Sequence, residues 1–272
     1  MPPLFANAHQ LLLSTSPQEK LEGVSSLYEA FLDQQLIFDD KTPVKEEVFA
    51  GLPPQLSLVA PRMLKRRRIH SLEGRASMLH AIIHIEFNAI NIALDAVYRF
   101  RGMPLAYYAD WLRVAREEAY HFHLLVQHLQ HLGYQYGDFP AHLGLWEMVQ
   151  KTGYDVLARM ALVPRLLEAR GLDVTPDIIQ RLLKVDDTVA AEILSIIYHD
   201  EIGHVRVGNY WYHYLCQERQ VDPIETFVGL LEQHAPDYLR GPLRVESRRK
   251  AGFKEVELDL LLGMVLKRAA DV

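Results

Sequence analysis

The sequence predicts an all-α protein, a bundle of four long helices with shorter helical pieces at both ends. Three observations carry that prediction. Apolar residues recur at helical spacing while strand-like alternation is almost absent. Proline, glycine and capping residues cut the chain into segments of helix length. Finally, two long helical segments carry the same acid-Glu-x-x-His arrangement, Glu117-Glu118-Ala119-Tyr120-His121 and Asp200-Glu201-Ile202-Gly203-His204.

The elements follow in order. Ser16-Pro17-Gln18-Glu19 is a capping box with proline at the first helical position, opening an amphipathic helix to about residue 35. Pro43, Pro53, Pro54 and Pro61 then mark an extended wrap. A long helix, apolar on much of its circumference, covers about 71–101, and Gly102-Met103-Pro104 ends it. A second helix covers about 105–132 and gives way to a turn-rich loop at 133–144. A third, bent at Pro164, covers about 145–170; Gly171 stops it and Thr175-Pro176 begins a short helix. The fourth covers about 187–217. The tail, punctuated by Pro223, Pro236 and Pro242, ends with a helix over about 256–268. The expectation is one domain, with a bundle core at 71–217, an N-terminal helix and wrap at 1–70, and a helical tail at 218–272.

Bulk properties exclude several function classes. A net charge of −6 gives no electrostatic reason for a nucleic-acid partner. No uninterrupted apolar run approaches the length of a membrane span, and the N-terminus lacks the basic flank of a signal peptide, so a cytoplasmic location is expected. Cys216 is the single cysteine, which excludes an internal disulfide and a thiolate cluster. Histidine is abundant: there are 13, and six lie between His80 and His131.

The chemistry rests on the repeated motif. Glu-x-x-His on a helix sets a carboxylate and an imidazole about one turn apart on one face, where both can reach a metal ion. Chance alone supplies about one such pair in a chain of this composition, so context decides. Both pairs lie mid-helix in apolar surroundings, where an unpaired carboxylate is costly. Glu117 and Asp200, the acids before each pair, suit the free ring nitrogens of His121 and His204. Each motif also has a glutamate at similar distance upstream, Glu86 before Glu118 and Glu168 before Glu201. Glu86 lies 16 residues before Gly102 and Glu118 lies 16 after it, so a reversal there brings them level. The second half is less regular, because Glu168 nearly adjoins Gly171; Glu192 and Asp155 stand as alternatives to Glu168.

Glu86, Glu118, His121, Glu168, Glu201 and His204 thus reproduce the di-iron and di-manganese pattern of four-helix bundles. Carboxylates with one imidazole per metal suit two iron ions, or manganese or a mixed pair, better than structural zinc. Tyr198, one turn before Glu201, is expected to bond a ligand carboxylate. His84 is assigned to packing or to support of the site, and His80 and His123 to the core or an interface. The basic clusters Lys65-Arg66-Arg67-Arg68 and Arg248-Arg249-Lys250 are expected to be solvated.

The chain resembles the ferritin-like proteins grouped as a domain of unknown function, over roughly 56–253. The segments LVAPRMLKRRRIHSLEGRASMLHAIIHIEFNAINIALDAVYRF, DWLRVAREEAYHFHLL, YGDFPAHLGLWEM, LARMALVPRLLEARGLDVTP, HDEIGHVRVGNYW and RRKAGF carry the resemblance. It implies a ferritin-like bundle and a di-metal centre, and its relatives by fold include bacterioferritins, ribonucleotide reductase small subunits, bacterial multicomponent monooxygenases and a tRNA hydroxylase. Many such proteins have arginine just before the ligand histidine, where this chain has Tyr120 and Gly203, and Leu143 stands where an acid is expected. The function expected is an oxygen-activating oxidoreductase, a monomer or small oligomer. It would act on a small molecule or a modified macromolecule and draw electrons from a donor protein. The other readings are a ferroxidase feeding an iron store and an interaction module with an idle metal site.

Overall fold

The computed structural model describes residues 1–38, 43–45, 49–65 and 67–270, the last two of these as backbone only. Among the described residues the regular structure is helical, with two isolated bridges, Pro3 to Ile37 and Leu58 to Ala141, and no strand. The chain divides into two compact units, Met1–Gln150 and Lys151–Val272.

Unit 1 begins with α1 (Leu4–Leu13) and α2 (Pro17–Leu32). The Ser16 hydroxyl accepts from the Glu19 amide at 3.3 Å, the cap expected from the sequence. The described part of the segment that follows holds a 3-10 turn at Pro61–Met63, and then come α3 (Leu72–Arg99), α4 (Leu105–His131) and α5 (Gly144–Lys151). α3 and α4 form an antiparallel hairpin, on which α1 packs against α3 and α2 against α4. Gly102 has a φ of 71° at the reversal, a left-handed backbone that glycine adopts without strain. α3 is long and apolar enough to cross a membrane by length and composition, although no uninterrupted apolar run in it reaches that length. Most of that stretch is buried inside the fold, which accounts for its apolarity on all sides.

Two clusters hold α3 in place. The Lys20 ammonium is buried and donates to the Leu12 carbonyl at 3.1 Å, the Gly51 carbonyl at 3.4 Å and Asn91 Oδ1. It also lies 5.0 Å from the Phe87 ring centre, so it ties α1, α2 and Gly51 to the turn of α3 beside Glu86. On another stripe of α3, His84 Nδ1 meets the Tyr136 hydroxyl at 2.8 Å and its Nε2 meets the His142 carbonyl at 3.0 Å. The Gly137 amide donates to His80 Nε2 at 2.9 Å. His80 and His84 therefore anchor the 133–144 loop as packing residues, whereas His123 is exposed.

Unit 2 comprises α6 (Val156–Leu162), a π-helical turn (Val163–Glu168), α7 (Ala169–Leu183), α8 (Thr188–Arg219), α9 (Pro223–His234), α10 (Val245–Lys250) and α11 (Glu255–Ala270). α7 and α8 pair most extensively, with α6 also on α8. Two expectations are corrected here. The helix expected at 145–170 is broken between α5 and α6, where Asp155 caps α6 by accepting from the Leu157 amide at 3.2 Å. Gly153 and Asp155 were the local signals for that break. Gly171 does not stop a helix either: α7 runs through both Gly171 and Pro176. Their intrinsic costs, about 1 and 3 kcal/mol, are outweighed by packing of a strongly amphipathic helix. The reversal comes later, at Asp186, whose φ is 57°; aspartate tolerates that backbone better than most residues.

The π-helical turn has a local cause. Pro164 lacks an amide hydrogen and its ring crowds the preceding turn, so the backbone widens there. Gly208 of α8 accommodates the proline: a methyl group on Gly208 would overlap Pro164 Cβ.

Candidate metal centre

α3 and α4 bring three of the expected ligands together in unit 1. His121 Nδ1 lies 3.2 Å from Glu118 Oε2 and 3.3 Å from Glu86 Oε2, and the three ligand atoms lie within 4.8 Å of one another. All three residues are buried: Glu86 is 6% exposed, Glu118 2% and His121 0%. The Glu118–His121 pair follows from one helical turn of α4 and Glu86 from the hairpin register set at Gly102.

Without a cation, protons balance this site. Burial, and next the charge of Glu118, push the Glu86 carboxyl well above the usual carboxylate range. For His121 burial acts downward, but hydrogen bonds and charge from Glu118 and Glu86 outweigh it and push the imidazole up to about 11. Two buried carboxylates and an imidazole nitrogen converging on one point are a donor set that fits a divalent cation, which would replace those protons.

Unit 2 repeats the arrangement in part. His204 Nδ1 lies 3.3 Å from Glu201 Oε2, and His204 is buried while Glu201 is half-buried. The relation of α8 to the preceding helix places Glu168. A methyl group on Gly171 would sit 3.7 Å from Glu201 Cγ, and Pro164 packs on Gly208. Glu168 is four residues after Pro164 and three before Gly171; His204 is four before Gly208 and three after Glu201. By that antiparallel register Glu168, half-buried at the end of the π-helical turn, falls level with His204 along the helix pair.

Both alternatives to Glu168 have other positions. Asp155 caps α6 and is held by Arg219 at 2.6 and 2.9 Å, and Glu192 is exposed. Tyr198 corrects an expectation, since its hydroxyl meets Ser247 Oγ at 2.5 Å rather than a ligand carboxylate. Glu117 is half-buried and shares its carboxylate with Arg113 at 3.4 Å; Asp200 is half-buried beside Glu201. Tyr120 is exposed.

The basic clusters also differ from expectation. Arg66 lies outside the described residues, while Arg67 reaches Glu73 Oε1 at 3.0 Å. Arg248, expected in solvent, is buried and binds Asp173 at 2.7 Å. Nothing local in the sequence marks that pairing, which joins residues 75 positions apart.

The family model described as "Protein of unknown function (DUF455)" matches residues 13–259. A relative from Haemophilus influenzae, described as "Uncharacterized protein", is 48% identical over 258 residues, covering 91% of this chain and 90% of its own. No solved structure gives a significant match. The match over most of its length shows that this chain belongs to the DUF455 family of proteins of unknown function.

Proposed function

We propose that this protein is a ferritin-like di-metal carboxylate oxidoreductase that activates dioxygen. Glu86, Glu118 and His121 would hold one ion and Glu168, Glu201 and His204 a second. The observation that carries this reading is the buried convergence of Glu86, Glu118 and His121 within 4.8 Å. The second Glu-x-x-His on α8, at the same Nδ1-to-carboxylate spacing, supports it. The donor set favours iron, with manganese or a mixed pair as the other hard-donor choices. Bound iron would supply the one-electron chemistry that dioxygen reduction requires.

The chain's own groups have definite tasks in this reading. Glu86 and Glu118 supply negative charge where bulk water is excluded. His121 gives up the proton at Nδ1 on loading and presents that nitrogen as a ligand. Glu117 and Asp200 are assigned to orienting the histidines. The substrate would be a small molecule or a modified macromolecule, and electrons would come from a donor protein.

Metal analysis of protein purified without chelators tests the reading, followed by aerobic titration with ferrous iron. About two ions per chain, and oxygen consumption that stops with iron near that number, is the expected result. Less than one tightly bound transition ion per chain would refute it. Continued iron uptake far beyond two would assign the protein to iron storage instead.

A further inference from the structure

We infer that residues 240–257 form a strap that positions the unit 2 ligands, holding the π-helical turn and α7 against α8 in the register that sets Glu168 level with His204. The inference rests on the metal-binding reading proposed above.

The turn and α7 carry two separate stripes. Pro164 and Gly171 lie against α8, and helical spacing puts Glu168, between them, on the same stripe. Arg165, Ala169 and Asp173, spaced by four, make the other stripe, and each is bound by the strap. Arg165 Nη2 donates to Glu257 Oε1 at 2.5 Å. The Arg248 guanidinium donates to both Asp173 oxygens, at 2.7 and 3.1 Å, and to the Ala169 carbonyl at 3.3 Å. The Arg244 amide adds a bond to Asp173 Oδ1 at 2.9 Å. Arg170 clamps the start of the strap, donating to the carbonyls of Arg240, Gly241 and Pro242 at 2.8–3.0 Å.

The same strap grips α8. Ser247 meets Tyr198, Arg206 donates to the Lys250 carbonyl at 2.7 Å, and Asn209 Nδ2 donates to the Ala251 carbonyl at 2.7 Å. Glu257 spans both helices, because its second oxygen, Oε2, lies 3.3 Å from His213 Nε2 of α8. A buried carboxylate thus joins the turn that ends in Glu168 to the helix that carries Glu201 and His204.

The energetics favour positioning over bulk stability. The Arg165–Glu257 and Arg248–Asp173 side chains are almost fully removed from water. Buried ion pairs are often no more stabilising than well-packed apolar residues of similar volume. They differ in being directional. The Arg165 guanidinium is stacked among Tyr212, Phe227 and Phe253 at 4.0–5.1 Å from the ring centres, so its direction is fixed. Rotating or sliding the turn on α8 would break the charge pair before it broke the apolar contacts.

Cobalt(II) titration of the full chain, followed by ligand-field absorption, tests the inference. Wild type is expected to bind two ions. Glu257→Gln and Arg248→Lys should bind one ion as wild type does and the second at least about tenfold more weakly, with an altered spectrum. The double variant Arg165→Met/Glu257→Met separates positioning from stability and carries the test should a single variant fail to fold. Apolar replacement of the whole pair should keep the melting temperature yet still weaken the second ion. Folded variants that bind both ions with wild-type affinity and spectrum would overturn the strap and leave the metal reading intact. Equal weakening of both ions would also overturn it. Wild-type protein that binds no second cobalt ion would overturn both.

Discussion

Gly208 of α8 lies so close to Pro164 that one added methyl group would overlap the proline ring. The contact seats the π-helical turn on α8, four residues from Glu168 on one side and from His204 on the other. Gly208→Ala should therefore act on stability and on the site together. Overpacking of this kind costs about 1–3 kcal/mol. Urea denaturation should show that loss, and metal analysis should show weaker binding of the second ion. A variant that loses stability but keeps both ions would show that Glu168 is not held by this contact.

The ligand assignment separates residues that the sequence leaves interchangeable. Glu118→Ala and Glu168→Ala should each lower metal content sharply. Asp155→Ala should leave it unchanged, because that carboxylate caps α6 and pairs with Arg219. Its cost should be in stability, about 1 kcal/mol for the lost cap. Metal analysis of the three variants beside wild type decides the assignment. Loss of metal on Asp155→Ala would reverse it.

Lys20 makes stability depend on alkaline pH. Burial lowers its pKa to about 7, so the unfolded chain binds more protons between about pH 7 and 10.5 and folding gains as pH rises. His121 runs the other way: raised to about 11, it contributes stability that is full below pH 6.5 and lost as pH rises. The difference between wild type and Lys20→Met isolates the lysine. Wild type should gain on the variant by about 1.4 kcal/mol per pH unit across that window. Denaturant titrations at several pH values measure it, and parallel profiles would place the ammonium in water.

Glu257 gives the acid counterpart. Burial would raise its carboxyl, but the neighbouring His213 imidazole and the charge of Arg165 outweigh burial and hold it at about 2. A depressed carboxylate contributes stability that is present above pH 4.5 and lost as pH falls toward 2. Glu257→Gln should cost about 3 kcal/mol near neutrality, since it leaves a buried guanidinium without its partner. The gap from wild type should close over that acid window in urea melts. A gap independent of pH would mean that the carboxylate is not charged in the folded protein.

The sequence by itself determined the helical class, α2, α3, α4 and α8 to within a few residues, and the meeting of Glu86, Glu118 and His121 in unit 1. These are short-range matters. A capping serine, a 3.6-residue period, a glycine at the reversal and a Glu-x-x-His turn act within a few residues of one another. The Glu86–His121 contact needed only a short hairpin, so counting from Gly102 was enough to find it. Tertiary structure decided the third helix. Gly171 and Pro176 look like a stop and a start, yet packing against α8 carries the helix through both, and Asp186 makes the turn. Packing also decided the fate of the basic tail. Arg248 reads as a surface charge because Asp173, which makes its burial affordable, lies 75 positions away in sequence. Local pattern encodes which backbone forms; which distant charge will neutralise a buried one is settled only when the helices meet.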